Sequence, residues 1–197
     1  MNLPDWNERY RLGERSARRD ASPTRLVEEW AGRLRPGSAL DLACGAGRNA
    51  GYLANLDWDV TAVDGASVAI ELLRSYHPGV QGVVADLAAG QFRIEPQQWD
   101  LILTAYYLQR DLFPAIQAGV RPGGFVFSIA HLPEPGEEPN YKRLTPGELR
   151  EYFAGWEILH YYEGASRDPL HRRPVAEIVA QKKPVPFHKE TGLNSTR

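Results

Sequence analysis

The chain is poor in sulfur: one cysteine, Cys44, and one methionine among 197 residues. A lone cysteine excludes an internal disulfide and any metal site built from cysteines alone. Charge of one sign is also missing. The 23 Lys and Arg nearly balance the 25 Asp and Glu, for a formal net charge of −2, so the basic footprint of a nucleic-acid binder is absent. Long apolar runs are lacking too. The densest, residues 101–108, is far short of the ~20 residues that cross a bilayer. The opening Met1-Asn2-Leu3-Pro4-Asp5-Trp6 is polar and carries no apolar signal core, which predicts a cytoplasmic protein. No His/Asp/Glu cluster has metal-ligand spacing, and no repeat or low-complexity block interrupts the chain. These absences leave a soluble protein with no membrane, nucleic-acid or metal partner expected.

The remaining composition is that of an ordinary globular chain, 43% hydrophobic and 24% charged. The length favours one domain, expected over residues 1–183, with a flexible tail over 184–197 that has little to bury. Residues 5–20 read as an irregular or helical lead-in. A helix is expected over 23–34, with Ser22 as N-cap and Leu26, Val27, Trp30, Ala31 and Leu34 on one face. Strands are expected at 37–42, 59–64, 80–85, 99–104 and 125–130. Helices are expected at 47–56, 66–76 and 111–119, a polar connection at 88–98, and a turn at Arg121-Pro122-Gly123-Gly124. Three prolines make 132–143 a loop. Thr145 and Glu148 have capping-box spacing before another helix. Strands at 156–163 and 174–182 follow, joined by a basic turn, Arg167 to Arg173, that is expected to face solvent. Strands alternating with helices predict an α/β fold, a Rossmann-like doubly wound sheet. We expect seven strands, mostly parallel, helices on both faces, and an antiparallel C-terminal strand.

Such a sheet holds ligands at the carboxyl ends of its strands. Asp41, Asp64, Asp86, Thr104 and His131 all fall at or just after a strand end. Gly45-Ala46-Gly47-Arg48-Asn49-Ala50 also fits a dinucleotide-binding glycine loop. That keeps open an NAD(P)-dependent oxidoreductase, and a non-catalytic cofactor-binding protein is a further alternative. A carboxylate at Asp41, just before the loop, is a poor neighbour for a pyrophosphate. It suits a ligand that carries an amino group or a positive charge.

Asp41-Leu42-Ala43-Cys44-Gly45-Ala46-Gly47 resembles motif I of the class I S-adenosylmethionine-dependent methyltransferases, D/E-x-G-x-G-x-G, with Ala43 in place of the first glycine. Trp6-Asn7-Glu8-Arg9-Tyr10, Asp86-Leu87, Trp99-Asp100-Leu101-Ile102 and Arg121-Pro122-Gly123-Gly124 resemble further elements of that family. The opening segment and the glycine loop are most similar to its tellurite-resistance methyltransferase-like branch of small-molecule enzymes. The resemblance implies S-adenosylmethionine as cofactor and a small soluble acceptor: a thiol, amine, hydroxyl or metalloid oxyanion.

The resemblance also implies residue roles. Asp41 would hold the amino group of the cofactor, while Ala43, Gly45, Gly47 and Asn49 form the loop around its methionine and ribose portions. Asp64 would accept both ribose hydroxyls. Gly65 and Ala66 would leave room for adenine, and Asp86 with Leu87 would read its edge. Thr104, Ala105 and Tyr106 would line the sulfonium end. On the acceptor side Tyr10, Tyr107 and Arg110 are the candidate substrate contacts. His131 is the candidate base, and Tyr107 the second candidate catalytic group. Residues 1–22 form a candidate lid. Cys44, with no basic partner in view, reads as a packing residue.

Overall fold

A computed structural model describes residues 3–13, 22–138 and 140–184. Of the expected lid over 1–22, residues 3–13 and 22 are described, and the expected tail over 184–197 lies outside the described residues from 185 on.

The first helix is α1, Leu3–Arg11, followed by α2, Arg25–Trp30, which tightens into a 3-10 turn. The central strand is β1, Ser38–Leu42, and the glycine loop leads from it into α3, Arg48–Ala54. Next come β2, Asp59–Asp64, α4, Ser67–Tyr76, and β3, Gln81–Val84. A polar stretch leads to β4, Trp99–Ala105, then α5, Phe113–Gly119, and β5, Val120–His131. The chain closes with α6, Glu148–Tyr152, β6, Glu157–Gly164, and β7, Val175–Gln181.

The sheet has seven strands in the order β3-β2-β1-β4-β5-β7-β6. β7 runs antiparallel to both β5 and β6, and the other pairs are parallel. Strand order reverses between β1 and β4, so the connections leaving their carboxyl ends diverge and open a crevice there. Alternation along each strand sends one set of side chains to each face. Leu40, Leu42 and Ile102 join Phe113 and Ile116 of α5 in one core. Ala39, Leu101 and Leu103 join Leu26, Val27, Leu53, Ile70 and Leu73 in the other. Burial on both faces is why β4 reads as an uninterrupted apolar run.

Three local expectations change. The first regular helix after the lead-in starts at Arg25, with Thr24 rather than Ser22 as N-cap, because the Thr24 N–H is held by Asn49 Oδ1 at 2.8 Å. The Arg121–Gly124 turn is absorbed into β5. Gly123 takes the left-handed φ of 84° there, and the pairing of β4 with β5 shifts register between Trp99 and Leu101. Gly147, not Thr145, is the N-cap of α6. Glu148 instead reaches back to accept from the Thr145 N–H at 2.8 Å and its hydroxyl at 3.0 Å.

Candidate active site

Several chain segments border one cavity beside the carboxyl end of β1. Leu42 ends that strand, and the chain turns sharply with Ala43 at φ 55°, Gly45 at 58° and Gly47 at 86°. These left-handed positions suit glycine, and a side chain on Gly45 would place its Cβ 2.6 Å from the Tyr10 hydroxyl. The turn borders a cavity of about 810 Å³. Its remaining walls come from α1, the ends of β2 to β5, and the connection between β6 and β7.

Three carboxylates border the cavity, Asp41, Asp64 and Asp86. Asp41 is almost fully buried at 1% exposure. The Ala50 N–H bonds it, but among the described residues Oδ2 has no partner. Burial, helped by the nearby Asp64 charge, pushes its carboxyl up to about 8. Asp64 is shaped by the backbone: Oδ2 accepts from the Gly45 N–H and Oδ1 from the Ala66 N–H, each at 2.8 Å. Burial raises its pKa as well. Asp86 builds its own turn, with Oδ1 accepting from the Ala88 N–H at 2.9 Å.

Basic groups border the cavity as well: Arg9, Arg48, Arg143, Arg173, His131 and His171. Tyr106, with a left-handed φ of 62°, lies flat against His171, ring centroids 3.4 Å apart at 5°, and its centroid is 5.3 Å from that of His131. Arg48 and Tyr106 both donate to Asp168 Oδ2, at 2.6 and 3.2 Å. Arg143 Nε is a buried donor with no partner among the described residues. Arg173 pairs with Glu137 at 2.7 Å.

The expected site residues that border the cavity are Asp41, Ala43, Gly45, Asn49, Asp64, Gly65, Asp86, Leu87, Ala105, Tyr106, Tyr107, Tyr10 and His131. Four do not. Gly47 faces the Leu73 side chain, and Ala66 is buried as the N-cap of α4. Thr104 is buried in a hydroxyl pair with Ser128 at 2.8 Å. Arg110 is a structural staple: it pairs with Glu148 at 2.6 Å and donates to the carbonyls of Tyr141 and Arg143, both at 2.7 Å. Tyr107 donates to Gln109 at 2.5 Å, and burial pushes its phenol up to about 12, so it stays protonated at neutral pH. Cys44 borders the cavity with its thiol pushed well up by burial and by Asp41 and Asp64, as suits an unreactive group.

The largest correction concerns residues 167–173. They face solvent only in part: Pro169, Leu170 and Arg172 are exposed, but Asp168 and His171 are buried, and Arg167 pairs with Glu29 and Glu177 at 2.8 and 2.6 Å. Charge density along the sequence reads as exposure, while the ion pairs that bury this turn join it to residues far away in the chain. Arg48 carried a visible signal, its place inside the glycine loop. Arg143 carried none.

A cofactor with an amino group and a ribose finds complementary groups here. Asp41 Oδ2 is buried with no partner among the described residues, and Asp64 keeps lone pairs beyond its two backbone bonds, while Gly45 and Gly65 let Tyr10 and Leu3 of α1 close against the turn.

Residues 22–174 match the family model described as tellurite resistance protein TehB. The probable S-adenosyl-L-methionine-dependent methyltransferase TehB of Haemophilus influenzae is 28% identical over 153 residues, covering 71% of this chain and 52% of the relative. Hemagglutinin 1 of Eikenella corrodens is 30% identical over 142 residues, 65% of this chain and 46% of that protein. The chain thus spans about half the length of these curated relatives. The crystal structure of TehB from Haemophilus influenzae superposes with a TM-score of 0.67 at 27% identity, covering 80% of this chain and 61% of that one. A TehB-like methyltransferase structure from Corynebacterium glutamicum gives 0.64 at 22% identity, over 91% of this chain and all of its own, and adds support for the fold. Motif, sheet order and family match agree: this chain belongs to the TehB family of class I S-adenosylmethionine-dependent methyltransferases.

Proposed function

We propose that the enzyme methylates a small anionic acceptor, an oxyanion or a thiolate, bound beside Arg143. The observation that carries this reading is Arg143 Nε, a buried donor on the cavity wall with no partner among the described residues. An anion would satisfy it, whereas a cationic amine would meet like charge there. The tellurite resistance in the name of the matching family falls within this acceptor class.

The cofactor supplies a methyl group already activated on a sulfonium, so the protein's work is positioning, charge placement and exclusion of water. Asp41 receives the amino group, the Gly45 turn admits the chain that follows it, and Asp64 receives the ribose hydroxyls. Gly65 leaves room for the adenine, and Asp86 and Leu87 lie at its edge. Ala105 and Tyr106 wall the reacting centre. Tyr107 serves as wall rather than base. His131, flanked by Tyr106 and His171, is placed to take a proton from an acceptor that arrives protonated. Trp6 and Tyr10 of α1 cover the cavity and keep water out.

The test is release of S-adenosylhomocysteine with tellurite, a small thiol and a primary amine offered in parallel. Turnover with tellurite or the thiol, lowered by Arg143→Ala, is expected. Turnover with the amine alone overturns the anionic reading.

A further inference from the structure

Arg110 does not border the cavity, yet it is bonded to the backbone of Arg143, which does. It opens the short 3-10 turn Arg110–Leu112 ahead of α5. A guanidinium presents its N–H donors in one rigid plane. Here Nε and Nη2 donate to the two carboxylate oxygens of Glu148 at 2.6 and 3.1 Å. Nη1 donates to the Tyr141 carbonyl and Nη2 to the Arg143 carbonyl, both at 2.7 Å. One plane thus ties a carboxylate of α6 to two carbonyls of the turn that carries Arg143.

The rest of that turn is held in the same way. The Arg143 N–H donates to the Asn140 carbonyl at 3.1 Å, and the Leu144 N–H to the His131 carbonyl at 3.0 Å. Glu148 is itself fixed, because the preceding Gly147 N–H donates to Glu163 Oε1 of β6 at 2.7 Å. Arg143 is therefore gripped at its own N–H, at its carbonyl and at the N–H that follows, which sets the direction in which its side chain leaves the backbone. The guanidinium folds back so that Nη1 donates to the Lys142 carbonyl at 2.9 Å, and Nε is left buried. A buried donor without a partner is costly, and a loose turn would let it swing out to water. It stays where it is because the turn is not loose.

We propose that Arg110 is a positioning residue for the acceptor: it touches no substrate, and it holds the 140–144 turn so that Arg143 Nε stays presented on the cavity wall. This rests on the reading of Arg143 as the anion seat. A donor held in place beforehand needs no ordering when the anion arrives. Glu148 offsets the charge of Arg110, so its effect on the anion runs through geometry rather than through its own field.

Calorimetric titration of tellurite into the whole chain, saturated with S-adenosylhomocysteine, tests this. Arg143→Ala weakens tellurite binding. Arg110→Ala weakens it by about tenfold, although the substituted residue lies outside the cavity. S-adenosylhomocysteine affinity stays within about twofold, as at an independent site. Arg110→Lys keeps a positive charge beside Glu148 and gives most of the same loss, which keeps the test decisive if the alanine variant does not fold. Adding Arg110→Ala to Arg143→Ala costs no further tellurite affinity, because the two act through one donor. A residue that merely held the fold together would lower both affinities, and its effect would add to that of Arg143→Ala. Undiminished tellurite binding in the Arg110 variants overturns the proposal, as does an additive double variant. A wild type that does not bind tellurite, or binds it no better than Arg143→Ala, overturns the anion seat itself, and the positioning with it.

Discussion

At the scale of single residues, the proposed cofactor seat rests on two carboxylates with different duties, Asp41 buried and Asp64 half-buried. Asp41 has an oxygen waiting for a donor, and Asp64 is aimed by two backbone N–H groups. Hydrogen bonds to charged groups contribute ~1.5–3 kcal/mol, so Asp41→Asn should weaken S-adenosylhomocysteine binding by ~10–100-fold. Asp64→Ala should cost a similar factor, and calorimetric titration of both variants reads it directly. Unchanged affinity in either one sinks its assignment. The placement of both on the cavity wall was legible in the sequence, because a strand end beside a glycine turn is a local signal. Arg110 was legible only as a cation in the right region. Its three partners, Glu148, Tyr141 and Arg143, lie more than thirty residues further on, so nothing local shows that it is already spoken for.

At the scale of elements, two clamps hold the acceptor side. Arg110 fastens the turn carrying Arg143 to α6. Arg110→Ala should cost ~1–2 kcal/mol, or ~2–8 °C in Tm for a chain of this size. It should also speed hydrogen exchange at residues 140–144. Arg110→Lys should recover little, because an ammonium cannot reproduce the planar fork that bonds Glu148 and two carbonyls together. The second clamp is Arg167, whose partner Glu177 on β7 is only 2% exposed. Arg167→Ala leaves that carboxylate buried with only His160 Nε2, 3.6 Å away, in reach; losing the partner of a buried ion pair typically costs ~3–5 kcal/mol. Adding Glu177→Gln to it should restore much of the lost Tm. A double variant no more stable than Arg167→Ala would show that the pair is not what holds the loop. The alternation of strands and helices was readable because apolar periodicity is a local property. These clamps were not, since each is a contact between distant elements. The β5 start was misplaced for a related reason. Pro122-Gly123-Gly124 has turn chemistry, yet β4 and β7 on either side supply enough pairing to carry the strand through it.

At the scale of the whole molecule, the site and the scaffold titrate in opposite directions. Asp41 is raised from 3.8 to about 8 in the folded chain. Between those values the folded state keeps a proton that the unfolded state releases, so stability falls as pH rises through that window. Asp64 is raised as well and adds to the same slope. Glu148 is the opposite case. Hydrogen bonds from Arg110 and Thr145 outweigh its desolvation and hold it down at about 2, so its contribution is present above 4.5 and is lost as pH falls toward 2. The cofactor-free protein should therefore be most stable in mildly acidic solution, near pH 5, and should lose Tm steadily toward pH 8. S-adenosylhomocysteine should reverse that loss. Its ammonium pairs best with an ionised Asp41, and binding to the folded state alone adds stability by mass action. The shift in Tm on adding it should thus grow from pH 5 to pH 8. Asp41→Asn removes the titrating group, so it should flatten the cofactor-free profile, raise Tm near pH 8 and shrink the ligand-induced shift. Thermal unfolding of both proteins across pH 5–8.5, with and without S-adenosylhomocysteine, checks all three. A cofactor-free profile that rises toward pH 8, unaltered by Asp41→Asn, would mean that Asp41 is ionised and already satisfied in the empty cavity. The amino group would then have to be held elsewhere.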